Sequence, residues 1–356
     1  MANSLYINIY DYADPNYPFQ IFIGGRGTGK TYSAQSGALP AGTVPMSGAC
    51  SGRPIYMRRT LDAWKMSVDS KQGEGANPYK RINIDNGCNY GYSKINDKLA
   101  GLYAREYSDG KLLYTGAPLG YSTSLTALAK LRGLDFSDCS DLIYDEFIKE
   151  VHEPKLAGEF EALMNAIETI NRNREFTGEA PLRVWMLSNS SDIYNPIFVG
   201  LGIVSIAEQM KKKGQQHKYL KDRGLAIHIF DSPEAFYEKK SQTALYKLTK
   251  GTKFADEALN NKFAQNDFSL IASRSIKGYI PICSLNEKAY LWKHKSTGEM
   301  YVSYTPARCP NYNLDHEQEK RAFYGKIGFR MMDYFISGKI TFESYELKAI
   351  VLDVIL

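Results

Sequence analysis

Short apolar runs alternate with stretches of helical periodicity through the first half of the chain. The spacing of apolar residues predicts a helix over residues 159–171, and a helix-compatible stretch begins at Lys30. Strands separated by helical patterns indicate crossover units, so we expect a mostly parallel sheet. The predicted strands are residues 19–23, 54–58, 111–115 (in a hairpin with 101–104), 141–145 and 182–187.

The pattern changes after residue 206. Residues 211–223 are polar and basic, and a strand over 225–230 and a helix starting at Ser232-Pro233 follow. From about residue 252 the pattern predicts strands at 277–285, 289–294 and 300–304, then helices at 315–337 and 343–354. We therefore expect three parts: a domain over 1–206, a linker or small connecting subdomain over 207–251, and a smaller α+β domain over 252–356.

Composition narrows the class of protein. The chain has 356 residues, and its 44% hydrophobic content is ordinary for a folded protein, which excludes a disordered or collagen-like chain. A formal net charge of +5 fits a phosphate-bearing partner without proving one. No apolar run approaches the roughly 20 residues that span a bilayer, so we expect a soluble, unsecreted protein with no membrane partner. The scattered cysteines and histidines show no zinc-ligand spacing.

One segment has the spacing of a phosphate-binding loop, GxxxxGK[ST], directly after a predicted strand and at the start of a helix. Its glycines let backbone N–H groups surround a phosphate, and the helix N-terminus adds a partial positive charge. Lys30 is expected to reach the β- and γ-phosphates, and the Thr31 hydroxyl to coordinate Mg²⁺. The nucleotide-binding residues predicted here are Gly24, Gly25, Arg26, Gly27, Thr28, Gly29, Lys30 and Thr31.

Two acidic residues at the end of a predicted buried strand distinguish a site that hydrolyses a nucleotide from one that only binds it. Asp145 is predicted to hold Mg²⁺, and Glu146 to polarise the attacking water. A kinase for a small acceptor needs no such second acid, so the pair points to ATP hydrolysis. Asn189, with Ser188 beside it, ends the next strand and suits a sensor of the γ-phosphate or the water.

Three arginines are candidates for stabilising charge in the transition state. Arg26 lies inside the loop, whereas Arg172 and Arg174 follow the predicted helix. A guanidinium at the γ-phosphate is worth about 10³–10⁵ in rate. Chemistry alone does not choose among the three.

With these residues assembled, the chain resembles the DNA-packaging motor ATPases, or encapsidation proteins, of phi29-like tailed phages. The resemblance covers roughly residues 15–200 and is far less specific beyond them. The resembling segments are GGRGTGKT at 24–31, IYMRR at 55–59, IYDEFI at 143–148, ETINRNRE at 168–175, and LSN at 187–189 leading to Asn195-Pro196.

The resemblance implies a fold and a set of partners. The first domain is then a P-loop ATPase of the ASCE type with an extra central strand, and the C-terminal domain is RNase H-like, a vestigial nuclease. Family members form a ring, usually of five subunits, on the portal of a preformed capsid, and they use ATP and Mg²⁺ to move double-stranded DNA inward. Some members also dock on a capsid-bound structural RNA, and the sequence leaves open whether this chain does.

Residue roles and localisation also follow from the resemblance. Arg172 matches the arginine proposed to act across the subunit interface, so it ranks above Arg174 and Arg26. Lys130 and Arg132 fall where a second such cation is expected. The protein is then expected in the host cytoplasm, transiently on the portal vertex of the procapsid, and absent from the mature virion.

The residues themselves argue against a nuclease, because the predicted strand 277–285 carries no carboxylate for a two-metal centre. A motor for any sequence must grip DNA through phosphates, for which Lys149, Lys155 and the basic segment 211–223 are candidates. Two alternatives remain: another ring-forming P-loop nucleic-acid ATPase, such as a helicase or AAA-type remodeller, and a nucleotide-binding assembly factor that does not hydrolyse.

Overall fold

The computed structural model describes residues 6–68, 77–128, 135–149, 153, 155–189, 192–230, 234–252 and 269–355. The chain divides into two compact units: Met1–Asp192 with Lys213–Ala264, and Ile193–Lys212 with Gln265–Leu356. Among these described residues, no helix is long and apolar enough to cross a membrane.

The first unit is built on one nine-stranded sheet with the order β3-β4-β5-β2-β6-β7-β1-β9-β8. The six strands from β5 to β9 in this order pair in parallel, and antiparallel pairs lie at both edges. The strands are β1 (Phe19–Ile23), β2 (Arg53–Arg58), β3 (Tyr90–Asn96), β4 (Leu99–Ser108), β5 (Lys111–Ser124), β6 (Cys139–Asp145), β7 (Arg183–Ser188), β8 (His217–Leu220) and β9 (Leu225–Ile229).

This topology confirms the predicted mostly parallel sheet. The central strands are apolar because helices cover both faces of a parallel sheet; four of the five residues of β1 are buried. β7 lies between β1 and β6, so the strand that precedes the phosphate loop and the strand that ends in the two acids are not neighbours. The carboxyl ends of β1, β7, β6 and β2 consequently lie at one edge of the sheet.

The helices of the first unit pack on this sheet through apolar faces. In α5, Leu163, Ala166 and Ile170 are buried at helical spacing, and the helix has the predicted bounds. The core also includes Phe22, Trp185 and other large side chains. The helices are α1 (Lys30–Gly37), α2 (Leu61–Val68), α3 (Lys80–Asn86), α4 (Leu125–Leu128), α5 (Glu159–Asn171), α8 (Glu234–Ser241) and α9 (Ala244–Leu248).

The second unit has its own five-stranded sheet, with the order β13-β10-β11-β12-β14, and its own apolar core around Phe323, Phe342 and Val351. Its strands are β10 (Tyr279–Leu285), β11 (Ala289–His294), β12 (Met300–Ser303), β13 (Asn311–Tyr312) and β14 (Ile340–Phe342). Its helices are α6 (Pro196–Gly200), α7 (Val204–Lys213), α10 (Glu317–Phe323), α11 (Phe329–Ile336) and α12 (Tyr345–Ile355), and a π-helical turn, Tyr324–Gly328, joins α10 to α11.

The two units divide the chain differently from the boundaries expected after residues 206 and 251. The reason is strand pairing: β9 pairs with β1 from Phe19↔Leu225 to Ile23↔Ile229, so residues expected to form a linker belong to the main sheet. This membership could not be recognised from the polar segment before β9, because β8 is an edge strand whose residues are little buried. The predicted helix start at Ser232-Pro233 lies outside the described residues.

Other elements differ only in extent. The predicted hairpin exists, but β5 runs from Lys111 to Ser124, and its first residues pair with Ala104–Ser108 rather than 101–104. The long helix predicted over 315–337 is interrupted by the π-helical turn. Gly338, at φ 68°, follows its end as expected.

Candidate active site

The loop between β1 and α1 has a shape that only glycine allows at two positions. Gly27 and Gly29 have φ angles of 80° and 95°, in the left-handed region. A Cβ atom at Gly29 would lie 3.0 Å from Tyr6 Cβ and 3.2 Å from the Ile7 carbonyl oxygen. The loop therefore turns tightly from the strand into the first turn of α1, whose N-terminus points its N–H groups toward a bound anion.

Lys30 is buried in this loop with only 4% of its surface exposed. Its Nζ donates to the carbonyl oxygens of Gly24 at 2.7 Å and Gly25 at 3.0 Å, and to Asn189 Oδ1 at 3.1 Å. Burial lowers the pKa of Lys30 to about 8, against the opposing effect of Asp145 and Glu146. The ammonium is thus held at the centre of the loop, on acceptors that a phosphate oxygen can replace.

Asp145, at the end of β6, lies directly beside the first turn of α1. The Thr31 hydroxyl donates to Asp145 Oδ2 at 3.1 Å, and the Tyr56 hydroxyl donates to the same oxygen at 2.5 Å. Asp145 is 3% exposed. A hydroxyl and a carboxylate are oxygen donors of the kind that Mg²⁺ prefers, so Thr31 and Asp145 fit the predicted metal ligands.

Glu146 follows with φ 55°, a strained angle for a non-glycine residue that turns its side chain at the strand end. Asn189 Nδ2 donates to Glu146 Oε1 at 3.4 Å, and Arg58 forms an ion pair with Oε2. Burial raises the pKa of Glu146, against the lowering effect of Arg58, and Asp145 raises it further. A carboxylate with a raised pKa suits a general base.

Asn189 links Lys30 to Glu146, because its amide contacts Lys30 through Oδ1 and Glu146 through Nδ2. This position, at the end of β7 between β1 and β6, is the one predicted for the sensor. The structure thus brings together Lys30, Thr31, Asp145, Glu146 and Asn189.

Arg58 also belongs to this group of side chains, although no role was predicted for it from the sequence. It ends β2, opposite Asp145 in the parallel ladder, and its guanidinium donates to Asp145 Oδ2 at 3.4 Å as well as pairing with Glu146. Only 20% of its side chain is exposed. The available signal was that the strand predicted over 54–58 ended in Arg58, at the edge of the sheet where the other polar strand ends meet.

Arg59, the next residue, fixes a helix rather than a ligand. It makes two hydrogen bonds to Glu159, the first residue of α5, at 2.7 and 2.9 Å. The side chains are 3% and 1% exposed, and the Tyr144 hydroxyl donates to Glu159 at 3.2 Å. This buried pair ties the end of β2 to the start of α5, whose other end leads to Arg172.

The three arginine candidates lie in different surroundings. Arg174 donates to the carbonyl oxygens of Ser137 and Cys139 at 3.0 and 2.7 Å, so its own chain holds it. Arg172 caps α5 at φ 45°, with 45% of its side chain exposed and a long 3.5 Å ion pair to the exposed Asp135. Arg26 is exposed on the loop, and Lys240 donates to its carbonyl oxygen at 3.2 Å.

The remaining cationic candidates are less defined. Lys130 and Arg132 lie outside the described residues. Lys149 is half-buried and Lys155 is exposed. Within the basic segment 211–223, Lys212 pairs with Glu208 at 2.7 Å. The assignment of these lysines to DNA stays a prediction.

The fold and the site together define an α/β protein of the P-loop class. A family model, Podovirus DNA encapsidation protein (Gp16), matches residues 104–320. Because this match spans more than half of the chain, the chain belongs to that family. The matched segment includes Asp145 and Glu146, whereas the phosphate loop precedes it.

Individual relatives agree with this family. The chain is 30% identical over 168 residues to a DNA packaging protein of Bacillus phage B103, covering 47% of this chain and 46% of that protein. It is 28% identical over 201 residues to the DNA packaging protein of Bacillus phage phi29, covering 56% and 54%. The chain matches about half the length of these curated relatives.

Two solved structures share the fold over nearly the whole chain. The bacteriophage Phi-29 viral genome packaging motor assembly matches with a TM-score of 0.65 at 20% identity, covering 99% of this chain and 98% of that one. The Phi-28 gp11 DNA packaging motor matches with a TM-score of 0.59 at 18% identity, covering 98% of each. At these identities the likeness concerns the fold.

Proposed function

We propose that this chain is an ATP-hydrolysing motor that moves double-stranded phage DNA into a preformed capsid, as a ring on the portal vertex. The observation that carries the proposal is the convergence of Lys30, Thr31, Asp145, Glu146 and Asn189 at one edge of the sheet. The chain belongs to a family of DNA encapsidation proteins, so DNA packaging is the process in which we expect such a site to work.

The site residues divide the work on ATP. Lys30 exchanges its bonds to Gly24 and Gly25 for oxygens of the β- and γ-phosphates, at the N-terminus of α1. Glu146 has Oε2 on Arg58, which leaves Oε1, contacted by Asn189 at 3.4 Å, as the oxygen that takes the proton from water. Asn189 touches both groups, so loss of the γ-phosphate alters its contacts directly.

Thr31 and Asp145 would hold Mg²⁺ through their oxygen atoms. When bound, the ion neutralises charge on the phosphate oxygens during phosphoryl transfer.

Arg172 is the proposed trans arginine that completes the site of a neighbouring subunit in the ring, which we propose to contain five subunits. Its support is its environment: it lies at the end of α5, whose first residue is held by Arg59, and it is partly exposed, whereas Arg174 is bound to the carbonyl oxygens of Ser137 and Cys139. Arg26 is the second choice, since it lies in the loop itself.

The second unit is proposed to be an RNase H-like domain without nuclease activity. The antiparallel run β10-β11-β12, with β13 parallel to β10, supports an α+β domain of this kind. The absence of cleavage remains a prediction.

The proposed partners are double-stranded DNA, the portal of the procapsid and further copies of this chain, in the host cytoplasm and transiently at the portal vertex. Lys149, Lys155 and the segment 211–223 are the proposed DNA contacts. A packaging RNA is left open.

Protection of DNA from nuclease tests the proposal. Purified procapsids, this protein and phage DNA should yield protected DNA with ATP, and none with a non-hydrolysable ATP analogue. Strand separation without protection would favour the helicase alternative. ATP binding without phosphate release, in the presence of DNA and procapsids, would favour the assembly factor.

A further inference from the structure

A cavity of about 820 Å³ opens from the phosphate loop within the first unit. This volume lies in the range of small-molecule sites, and the phosphate loop occupies only one end of it. Beyond that end, the cavity is bounded by three separate pieces of the chain: the segment before β1, the first turn of α1 with the loop after it, and α3. The residues beyond the loop are Tyr6, Ile7, Asn8, Tyr32, Ser33, Met46, Arg81 and Asp85.

One wall is the segment that precedes β1, and it is fastened to the phosphate loop. The Ile7 N–H donates to the Thr28 carbonyl at 2.7 Å, and Tyr6 Cβ lies against the α-carbon side of Gly29. Tyr6 is 60% exposed and meets Phe236 edge-on, with 6.3 Å between ring centroids. This wall therefore presents apolar surface next to the place where phosphates bind.

The wall formed by α3 carries an oriented carboxylate. Asp85 accepts two bonds from Arg81, Nε to Oδ2 at 2.9 Å and Nη2 to Oδ1 at 2.8 Å. The Tyr32 hydroxyl donates to Asp85 Oδ2 at 3.5 Å, and Asn86 donates to that hydroxyl at 3.4 Å. These contacts fix the carboxylate, while 31% of its side chain stays exposed. A carboxylate oxygen accepts two hydrogen bonds, so Oδ1 can take one from a ligand.

One cavity joins the phosphate loop to this carboxylate. Lys30, Thr31, Tyr32 and Asp85 all line it, and Tyr32 contacts Asp85 directly. A triphosphate whose phosphates bind at Lys30 would therefore find this part of the cavity open to its sugar and base.

We propose that Asp85, oriented by Arg81 and Tyr32, recognises the nucleoside of the triphosphate. Its carboxylate accepts a hydrogen bond from a donor on that nucleoside, either the ribose 2′-hydroxyl or the exocyclic amine of the base, while Tyr6 and Ile7 contact the base. The inference rests on the proposed function only in requiring a nucleoside triphosphate at the phosphate loop.

Calorimetric titration with four probes tests it: ATP, 2′-deoxy-ATP, the purine riboside triphosphate that lacks the exocyclic amine, and inorganic tripolyphosphate. In Asp85→Asn, ATP affinity should fall about 10- to 100-fold, the range for one hydrogen bond to a charged group, and tripolyphosphate affinity should not change. Asp97→Asn, at the exposed turn between β3 and β4, is the matched control and should leave both affinities unchanged.

The native protein gives the same answer without a variant that could disturb α3. If 2′-deoxy-ATP alone binds weakly, the donor is the ribose hydroxyl; if the amine-free analogue alone binds weakly, it is the exocyclic amine. Equal affinity of the wild type for all three nucleotides, or of Asp85→Asn and the wild type for ATP, would overturn the subsite while the phosphate site stands. Failure of tripolyphosphate and ATP to bind at all would instead remove the phosphate site, and the subsite with it.

Discussion

The two ends of the cavity in the first unit are built differently. At the phosphate end, Lys30 and the Asp145 carboxylate behind Thr31 are almost fully buried, and each has at least three polar contacts. At the nucleoside end, Tyr6 and Arg81 are largely exposed, at 60% and 76%. Stabilising the charge that develops during phosphoryl transfer needs fixed groups in a site shielded from water, whereas a base can be bound by many kinds of apolar surface. Substitutions should therefore change turnover at one end and affinity at the other.

The largest effect is expected from Arg172, which we propose to act at the ATP site of the neighbouring subunit. Replacing Arg172 by Ala should lower kcat of the assembled motor by about 10³–10⁵ and change ATP affinity little. Phosphate release with DNA and procapsids measures it. Mixing Arg172→Ala with Glu146→Gln subunits should restore part of the activity, because some interfaces then hold both native groups. Arg174→Ala is the comparison; an equal loss of kcat there, with no rescue on mixing, would contradict the assignment.

Next is the base at the phosphate end. Glu146→Gln keeps the size and the contact with Asn189 but cannot accept the proton, so kcat should fall about 10²–10⁴. ATP should still bind, as measured by calorimetry beside phosphate release. Glu161→Gln, on the exposed face of α5, should behave as the wild type. Turnover at the native rate in Glu146→Gln would move the base to another residue.

A smaller effect concerns pH. Burial raises the pKa of Glu146 and Arg58 opposes that rise. The base must be deprotonated, so kcat is lost as pH falls through the pKa of Glu146. Removal of the positive charge in Arg58→Gln should raise that pKa further and move the acid limb of the pH–kcat profile to higher pH. An acid limb that stays in place would show that Arg58 does not act on Glu146.

Lys30 should limit ATP affinity at high pH, whereas Glu146 limits kcat at low pH. Burial lowers its pKa to about 8, so the ammonium that binds phosphates is lost as pH rises through that value. In the free protein, affinity should then weaken by up to about tenfold for each pH unit above it. Tripolyphosphate and ATP should weaken in parallel, since only the phosphate end titrates. Affinity that is constant to pH 10 would contradict the buried position of Lys30.

The smallest effect belongs to the nucleoside end. Tyr6→Ala removes an exposed ring, worth about 0.5–1.5 kcal/mol for an aromatic contact, and should weaken ATP binding by about 2- to 10-fold without changing kcat. Tyr6→Phe, which keeps the ring, should bind as the wild type. A large fall in kcat for Tyr6→Ala would erase the difference between the two ends.

The two ends of the cavity also differ in how much of them could be predicted from the sequence. Gly24–Thr31, Asp145, Glu146 and Asn189 could be predicted as site residues because their chemistry restricts each position to one or two residue types at fixed places on strands. Arg58 and Asp85 could not be predicted, since an arginine at a strand end or an acid on a short helix is common, and only the fold brings Arg58 to Asp145 and Asp85 to the same cavity as Lys30.

The same reasoning explains the division into units. The strands of the parallel sheet were readable as apolar runs, because both their faces are buried. The membership of β9 in that sheet was not, because pairing with β1 joins residues more than 200 positions apart and leaves no mark in the polar segment before it. Local pattern identifies the element, whereas its neighbours in the sheet are set by long-range contacts.

The most direct test of the central claim measures phosphate release and DNA protection together, in one reaction of protein, procapsids, DNA and ATP. If the Lys30–Asp145–Glu146 site drives DNA movement, protected DNA should increase in proportion to phosphate released, and Glu146→Gln should abolish both while still binding ATP. Protected DNA at the native level with no phosphate released would contradict the claim.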